Sequence, residues 1–163
     1  MKKVTKFIKD NLSLFILTPV VLIVDRVTKI IARTKLAGHP YVPLIGDFVG
    51  FCYVENDGAA WNMFGGSRFF LSLISIVSSI LILIYYFKGK NNKYSKFFLA
   101  MIFVGAVGNG IDRIIYGKVI DMINVNIFIL FNSEFPIFNV ADLFVTFGAI
   151  LFILFELFKK NEQ

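Results

Sequence analysis

The sequence predicts an all-α integral membrane protein with four transmembrane helices, a small extracytoplasmic β-sheet and an interfacial segment. Three observations carry this expectation. First, the 163 residues are 57% hydrophobic and 17% charged and include 20 phenylalanines, whereas soluble domains are about 45–50% apolar. Second, the apolar excess is gathered into four runs, residues 12–31, 69–87, 97–116 and 138–158. Each is about 19–21 residues long, and about 20 are needed to cross a hydrocarbon core of roughly 30 Å. Third, the basic residues are divided unevenly among the connections.

The first run follows Lys2, Lys3, Lys6 and Lys9 and superficially resembles a secretory leader. No small-x-small cleavage pattern follows it. The run continues into Val24-Asp25-Arg26-Val27-Thr28-Lys29, so it is read as a retained first helix. The second run is the cleanest, with no charge between Arg68 and Lys88. The first, third and fourth carry charges near one end only, apart from Glu156 at the far end of the fourth. The connections 33–67 and 117–137 contain structure of their own. Residues 48–54 are rich in aromatic and β-branched side chains and read as a strand. Residues 119–127 alternate, with Asn124 and Asn126 on one face and Asp121, Ile123, Val125 and Ile127 on the other, and also read as a strand. Residues 59–64, Ala-Ala-Trp-Asn-Met-Phe, suit a membrane interface. Gly65-Gly66 then turns the chain into the second span. No repeat is visible, so residues 1–163 are expected to form one membrane domain.

Orientation follows from the excess of Lys and Arg on cytoplasmic segments. Lys2, Lys3, Lys6, Lys9, Lys88, Lys90, Lys93, Lys96, Lys159 and Lys160 share one side with only Asp10, Glu156 and Glu162. Both termini and the 88–96 connection are therefore expected in the cytoplasm, and 33–67 and 117–137 outside. The net charge of +6 is accounted for by this topology, not by a nucleic-acid partner. One Cys, Cys52, excludes an intrachain disulfide. One His, His39, with no Cys/His cluster, signals no zinc site. Cys52 reads as an apolar core-like residue and His39, before Pro40, as an exposed loop residue.

With the spans placed, the polar residues within or beside them gather at the outer side. Acidic groups next to hydrocarbon are costly, and each is a candidate functional residue. Asp121 and Asp142 bracket the last outer segment. Two adjacent carboxylates share a proton, so one can take a proton from water while the other donates to a carbonyl. Such hydrolysis requires no metal, cofactor or covalent intermediate. A structural reading stands beside it. Asn139 would cap the fourth helix with Asp142 as its capping-box acid, and Asp121 would be a solvated loop residue. Asp25 and Lys29, four apart with the acid first, suit a helical ion pair or a ligand contact. Asn109, Asp112 and Arg113 share a helical face, where the Arg would orient a carboxylate or lipid phosphate or staple two helices. Gly105, Gly108 and Gly110 read as close helix packing. Asn56-Asp57-Gly58 is a turn signal, and its Asn would also suit holding a peptide backbone.

Five signatures then coincide in chain order: Asp25-Arg26-Val27-Thr28-Lys29, Asn56-Asp57-Gly58-Ala59-Ala60-Trp61, Gly108-Asn109-Gly110-Ile111-Asp112-Arg113, Val119-Ile120-Asp121-Met122 and Phe138-Asn139-Val140-Ala141-Asp142. Together they resemble the bacterial lipoprotein signal peptidase family, signal peptidase II. The resemblance spans all four runs and both outer segments. It implies an aspartic endopeptidase of the bacterial cytoplasmic (inner) membrane with its site on the extracytoplasmic side. The substrate would be a prolipoprotein whose Cys carries diacylglycerol, cut just before that Cys. Asp121 and Asp142 fall on the family's catalytic pair. Asp25, Lys29, Asn56, Asn109, Arg113 and Asn139 match positions that support the site or contact substrate. Sensitivity to the cyclic peptide globomycin is implied as well. Gly110 departs from the family pattern, which more often has a bulky apolar residue there, and 126–135 looks slightly long. Trp61, Met63 and Phe64 are candidates for a lid over the substrate groove. The expected partners are lipid-modified prolipoproteins and membrane lipid, with the enzyme a monomer. A transporter would place charges near the bilayer midplane within a repeat, and a structural subunit would not need paired acids beside a strand.

Overall fold

A computed structural model of the protein describes residues 2–59, 63–126 and 135–160. Among the described residues the elements follow in the order α1 (Lys2–Asp10), α2 (Leu12–Lys35), β1 (Val42–Ile45), β2 (Val49–Asn56), α3 (Arg68–Lys88), α4 (Lys93–Tyr116), β3 (Val119–Val125) and α5 (Val140–Lys160). The fold is mostly helical, and the strands form one antiparallel sheet in the order β1-β2-β3. The β1 edge strand has no counterpart in the sequence reading, because its Val-Pro-Leu-Ile is short and contains Pro43.

Helix α4 is the centre of the bundle and packs against α2, α3 and α5. Its glycines permit this. A Cβ at Gly105 would lie 2.3 Å from the Ala141 carbonyl oxygen on α5, and one at Gly110 would lie 3.0 Å from Ser75 Cβ on α3. Gly110 is thus a close-approach site between α3 and α4, where a bulky residue has no room. The ends of α4 are well capped. Asn92 accepts N–H bonds from Tyr94 and Ser95 at the start. Gly117, at φ 78°, ends the helix in the left-handed conformation. Arg68 donates to the carbonyls of Arg113 and Ile114 in the last turn, and the Arg113 carbonyl also accepts the Gly117 N–H.

Three helices are long and apolar enough to cross a membrane: Arg68–Lys88, Lys93–Tyr116 and Val140–Lys159. Helix α2, the fourth expected span, has sufficient length at 24 residues. It falls short on composition, because Asp25, Arg26, Lys29 and Arg33 lie in its second half. Large apolar side chains cover the outside of the helices, among them Phe69 at 82% exposed, Ile23 at 62% and Ile153 at 57%. Apolar surface on this scale marks a contact with lipid or protein. Glu156, the charge at the far end of the fourth run, accepts a hydrogen bond from the buried Ser95 hydroxyl at 2.7 Å.

The sheet sits at the Lys35, Arg68, Tyr116 and Val140 ends of the helices. Asn56 is paired opposite Val119, and Val54 opposite Asp121. Since side chains alternate along a strand, Asn56, Val119 and Asp121 share one face. A single antiparallel bridge joins Ile123 to Phe138. It ties β3 to Phe138, two residues before α5, and so brings Asp121 beside the start of that helix. The expected interfacial segment 59–64 and lid residue Trp61 lie partly outside the described residues, as does most of 126–135. Met63 and Phe64 are exposed, and Phe64 meets Phe70 edge to face.

Candidate active site

Helix α5 begins with a capping box. The Asn139 side-chain oxygen accepts the Asp142 backbone N–H, and the Asp142 carboxylate accepts the Asn139 backbone N–H, each at 3.0 Å. Asp142 is therefore a first-turn acid facing the positive end of the helix dipole. The cap does not exhaust it. Its other oxygen accepts a bond from Asn109 Nδ2 at 2.7 Å. The structural reading of Asn139 and Asp142 holds, and the cap aims the second carboxylate oxygen toward α4.

Asn139 also reaches Asp121. Its Nδ2 donates to Asp121 Oδ1 at 2.6 Å and to Asn109 Oδ1 at 3.2 Å. Asn56 Nδ2 donates to the other Asp121 oxygen at 2.9 Å. Asp121 is 2% exposed, so it is not a solvated loop residue. One residue, Asn139, thus donates to both carboxylates, from its side chain to Asp121 and from its backbone N–H to Asp142. Asn56 completes its own turn by accepting the Gly58 N–H, and Arg113 Nη2 donates to the Gly58 carbonyl at 2.9 Å.

Behind the carboxylates lies a buried ion cluster. Lys29 has three N–H bonds to give and is fully buried. It meets three oxygens, on Asp25 and Asp112 at 2.7 Å each and on Asn109 at 3.1 Å. Asp25 gives its second oxygen to the Ala141 N–H at 3.0 Å, one of the unpaired donors in the first turn of α5. Asp112 gives its second oxygen to Arg26 at 3.2 Å. The predicted pair of Asp25 and Lys29 is present; it holds three helices together, and neither residue lines the cleft onto which the two carboxylates open. Asp112 closes the Lys29 shell. Its spacing from Asn109 was legible, but the partner on α2 that it meets was not.

The two carboxylates open onto a cleft of about 470 Å³ with Asn56, Asn109 and Arg113 also in its wall. The rest of the wall is apolar, including Val119, Val125, Phe138, Leu143 and Phe147. Such a site is concave and greasy with few convergent polar groups, the usual form of a ligand pocket. Burial, reinforced by the nearby Asp142 charge, pushes the Asp121 carboxyl from 3.8 up to about 6. The N–H bonds from Asn56 and Asn139 and the charge of Lys29 oppose that rise. Among the described residues, no three His, Cys, Asp or Glu side chains converge to hold a metal ion. Cys52 is half-buried and His39 exposed.

Residues 17–158 match the family model described as signal peptidase (SPase) II. The chain belongs to this family. The matched stretch contains every residue of the network just described. Among curated relatives, the lipoprotein signal peptidase of Staphylococcus haemolyticus is 41% identical over 141 residues, covering 85% of this chain and 86% of the relative. That of Clostridium tetani is 42% identical over 139 residues, covering 82% and 85%. A bacterial membrane enzyme solved by the in meso method at 2.3 Å resolution superposes with a TM-score of 0.83 at 33% identity, covering 92% of this chain and 90% of that one. Membership in a membrane-enzyme family accounts for the exposed apolar helix surfaces. A signal peptidase is a protease.

Proposed function

We propose that this signal peptidase II family member is an aspartic endopeptidase that removes the signal peptide from diacylglyceryl-modified prolipoproteins. Asp121 and Asp142 are the catalytic pair. The observation that carries this reading is that Asn139 holds both carboxylates at the mouth of one apolar cleft. Asp121, the acid with the raised pKa, holds the shared proton. Asp142 takes a proton from the attacking water while Asp121 gives its proton to the carbonyl oxygen. The tetrahedral intermediate collapses when Asp142 passes its proton to the leaving nitrogen and the C–N bond breaks. The carbonyl re-forms and returns its proton to Asp121. Arg113 and Asn56 fix the Gly58 turn beside the scissile bond and clamp the peptide backbone. Asn109, Lys29 and Asp25 hold α4 and α2 against the start of α5.

The remaining features follow from membrane physics. Helix α2 is the fourth span. Its five charged residues are tolerated because Asp25 and Lys29 are buried in ion pairs and Arg26, Arg33 and Lys35 lie toward the outer headgroups. The excess of Lys on both termini and the 88–96 connection supports a cytoplasmic location for these segments. The sheet and cleft then face the outside of the bacterial cytoplasmic membrane. Acyl chains on the substrate Cys partition into the bilayer at about 0.8 kcal/mol per buried CH₂, which delivers the scissile bond to that depth. The enzyme acts as a monomer, and globomycin blocks the cleft.

The test is cleavage of a diacylglyceryl-modified prolipoprotein and of its unlipidated form in liposomes. Wild type is compared with Asp121→Asn and Asp142→Asn, each checked for folding. Cleavage by wild type alone, and of the lipidated form alone, is expected. Robust cleavage by either folded variant would sink the assignment of the pair.

A further inference from the structure

A second hollow lies back to back with the cleft. Along β3, Val119 and Asp121 face the cleft, whereas Lys118 and Ile120 face a separate space of about 290 Å³ between the ends of α2 and α4. Alternation along the strand produces this division. Four basic side chains line the hollow, Arg26, Lys29, Arg33 and Lys118, with only Glu55 and Asp112 against them. Three of the four are engaged. Lys29 is enclosed by Asp25, Asp112 and Asn109, Arg26 pairs with Asp112, and Lys118 pairs with Glu55. Among the described residues Arg33 makes no hydrogen bond and no ion pair, and it is exposed. It supplies positive charge held in no such bond or pair, with Glu55 an acid that feels it.

We infer that this hollow binds the phosphodiester of an anionic phospholipid in the outer leaflet. The inference relies on the membrane placement proposed above but not on the peptidase chemistry. Arg26 is preset for such a ligand. Its guanidinium lies 4.7 Å from the Tyr116 ring centroid and donates to the Tyr116 hydroxyl and to Asp112. Its side chain remains 42% exposed, with N–H groups left for a phosphate oxygen. Lys118 stands on the strand side of the same space.

The surroundings favour a lipid over a free phosphate ion. Ile23, Arg26, Ile30 and Arg33 recur three and four residues apart and so form one stripe of α2. Ile30 lines the hollow, and Ile23 continues the stripe toward the bilayer interior. Both are exposed, at 48% and 62%. The stripe thus presents cations at headgroup depth and bare apolar surface below them, which matches a phospholipid end to end. Tyr116 at the rim is a residue type enriched at the membrane interface. A zwitterionic headgroup would bring its own cation against Arg33, so an anionic headgroup is selected.

The test is native mass spectrometry of the full chain in detergent with added phosphatidylglycerol, phosphatidylcholine or inorganic phosphate. Wild type is expected to retain phosphatidylglycerol in preference to phosphatidylcholine. Arg33→Gln with Lys118→Gln should weaken phosphatidylglycerol binding roughly 30-fold, as two interfacial cations are removed, and leave phosphatidylcholine unchanged. Arg33→Lys with Lys118→Arg should restore the preference. Size-exclusion profile and unfolding temperature report folding of both doubles without reference to catalysis. Equal retention of the two lipids by wild type, or undiminished phosphatidylglycerol binding by the folded Gln double, would overturn the inference. Displacement of the lipid by excess inorganic phosphate would also overturn it, since the site would then be one for a free oxyanion.

Discussion

Replacing Asp121 by Asn should abolish cleavage and at the same time stabilise the protein. The carboxyl is buried, and its pKa is raised from 3.8 to about 6. Above pH 6 the folded state therefore holds a carboxylate that the unfolded chain would hold more cheaply. This rise corresponds to about 3 kcal/mol of destabilisation at neutral pH. Asn has no such charge. It would, however, turn its own NH₂ toward Asn56 or Asn139, both of which now donate to Asp121, a loss of about 1 kcal/mol. The net gain is about 2 kcal/mol at pH 7.5, or roughly 4–8 °C in unfolding temperature by the scaling for chains of this size. The sign follows from the raised pKa. The penalty is fully present above pH 6, shrinks as pH falls toward 3.8, and is absent below it. The assay is thermal unfolding of wild type and Asp121→Asn in one detergent at pH 7.5 and pH 4. A variant destabilised at pH 7.5, or a difference between the proteins that does not change with pH, would refute the reasoning.

Three further outcomes are expected. If catalysis needs one proton on the pair, kcat/KM should fall about tenfold per pH unit above an apparent pKa near 6, a value that belongs to the pair; a rate rising from pH 6 to 8 would contradict this. Asn139→Ala should cost about 1–2 kcal/mol through loss of the α5 cap and lower cleavage far more than that destabilisation accounts for, because the Asp121 carboxylate loses a donor and the Asp142 backbone N–H loses the acceptor that positions it. Steady-state kinetics at a temperature well below unfolding separates the two effects. Lys29→Met should cost about 3–5 kcal/mol, since it leaves Asp25 and Asp112 buried without their common cation. Chemical unfolding measures this, and a cost under about 1 kcal/mol would show that the cluster relaxes or protonates freely.

The sequence was most informative where a local pattern has a single physical solution. The apolar runs at 69–87, 97–116 and 138–158 have the length and composition of spans, and they form helices α3, α4 and α5. The alternation after Val119 required a strand, and β3 is that strand. The spacing of Asp25 and Lys29 required a shared helical face, and they are ion-paired on it. The spacing of Asn139 and Asp142 is that of a capping box, and the box is formed.

Tertiary structure decided what these local features do together. No spacing rule brings β3 to the start of α5; the bridge between Ile123 and Phe138 does so, and it depends on backbone pairing across a long connection. Nor does any pattern show that Asn139, a cap by sequence, also gives both Nδ2 hydrogens to other side chains. Asp112 and Arg113 are adjacent in sequence, yet one turns to Lys29 and Arg26 and the other to Gly58. The sequence alone specified the helices, the strand and which residues were unusual enough to need partners. Which partner each one found depends on contacts between segments far apart in the chain, and those exist only once α4 has gathered the other helices around it.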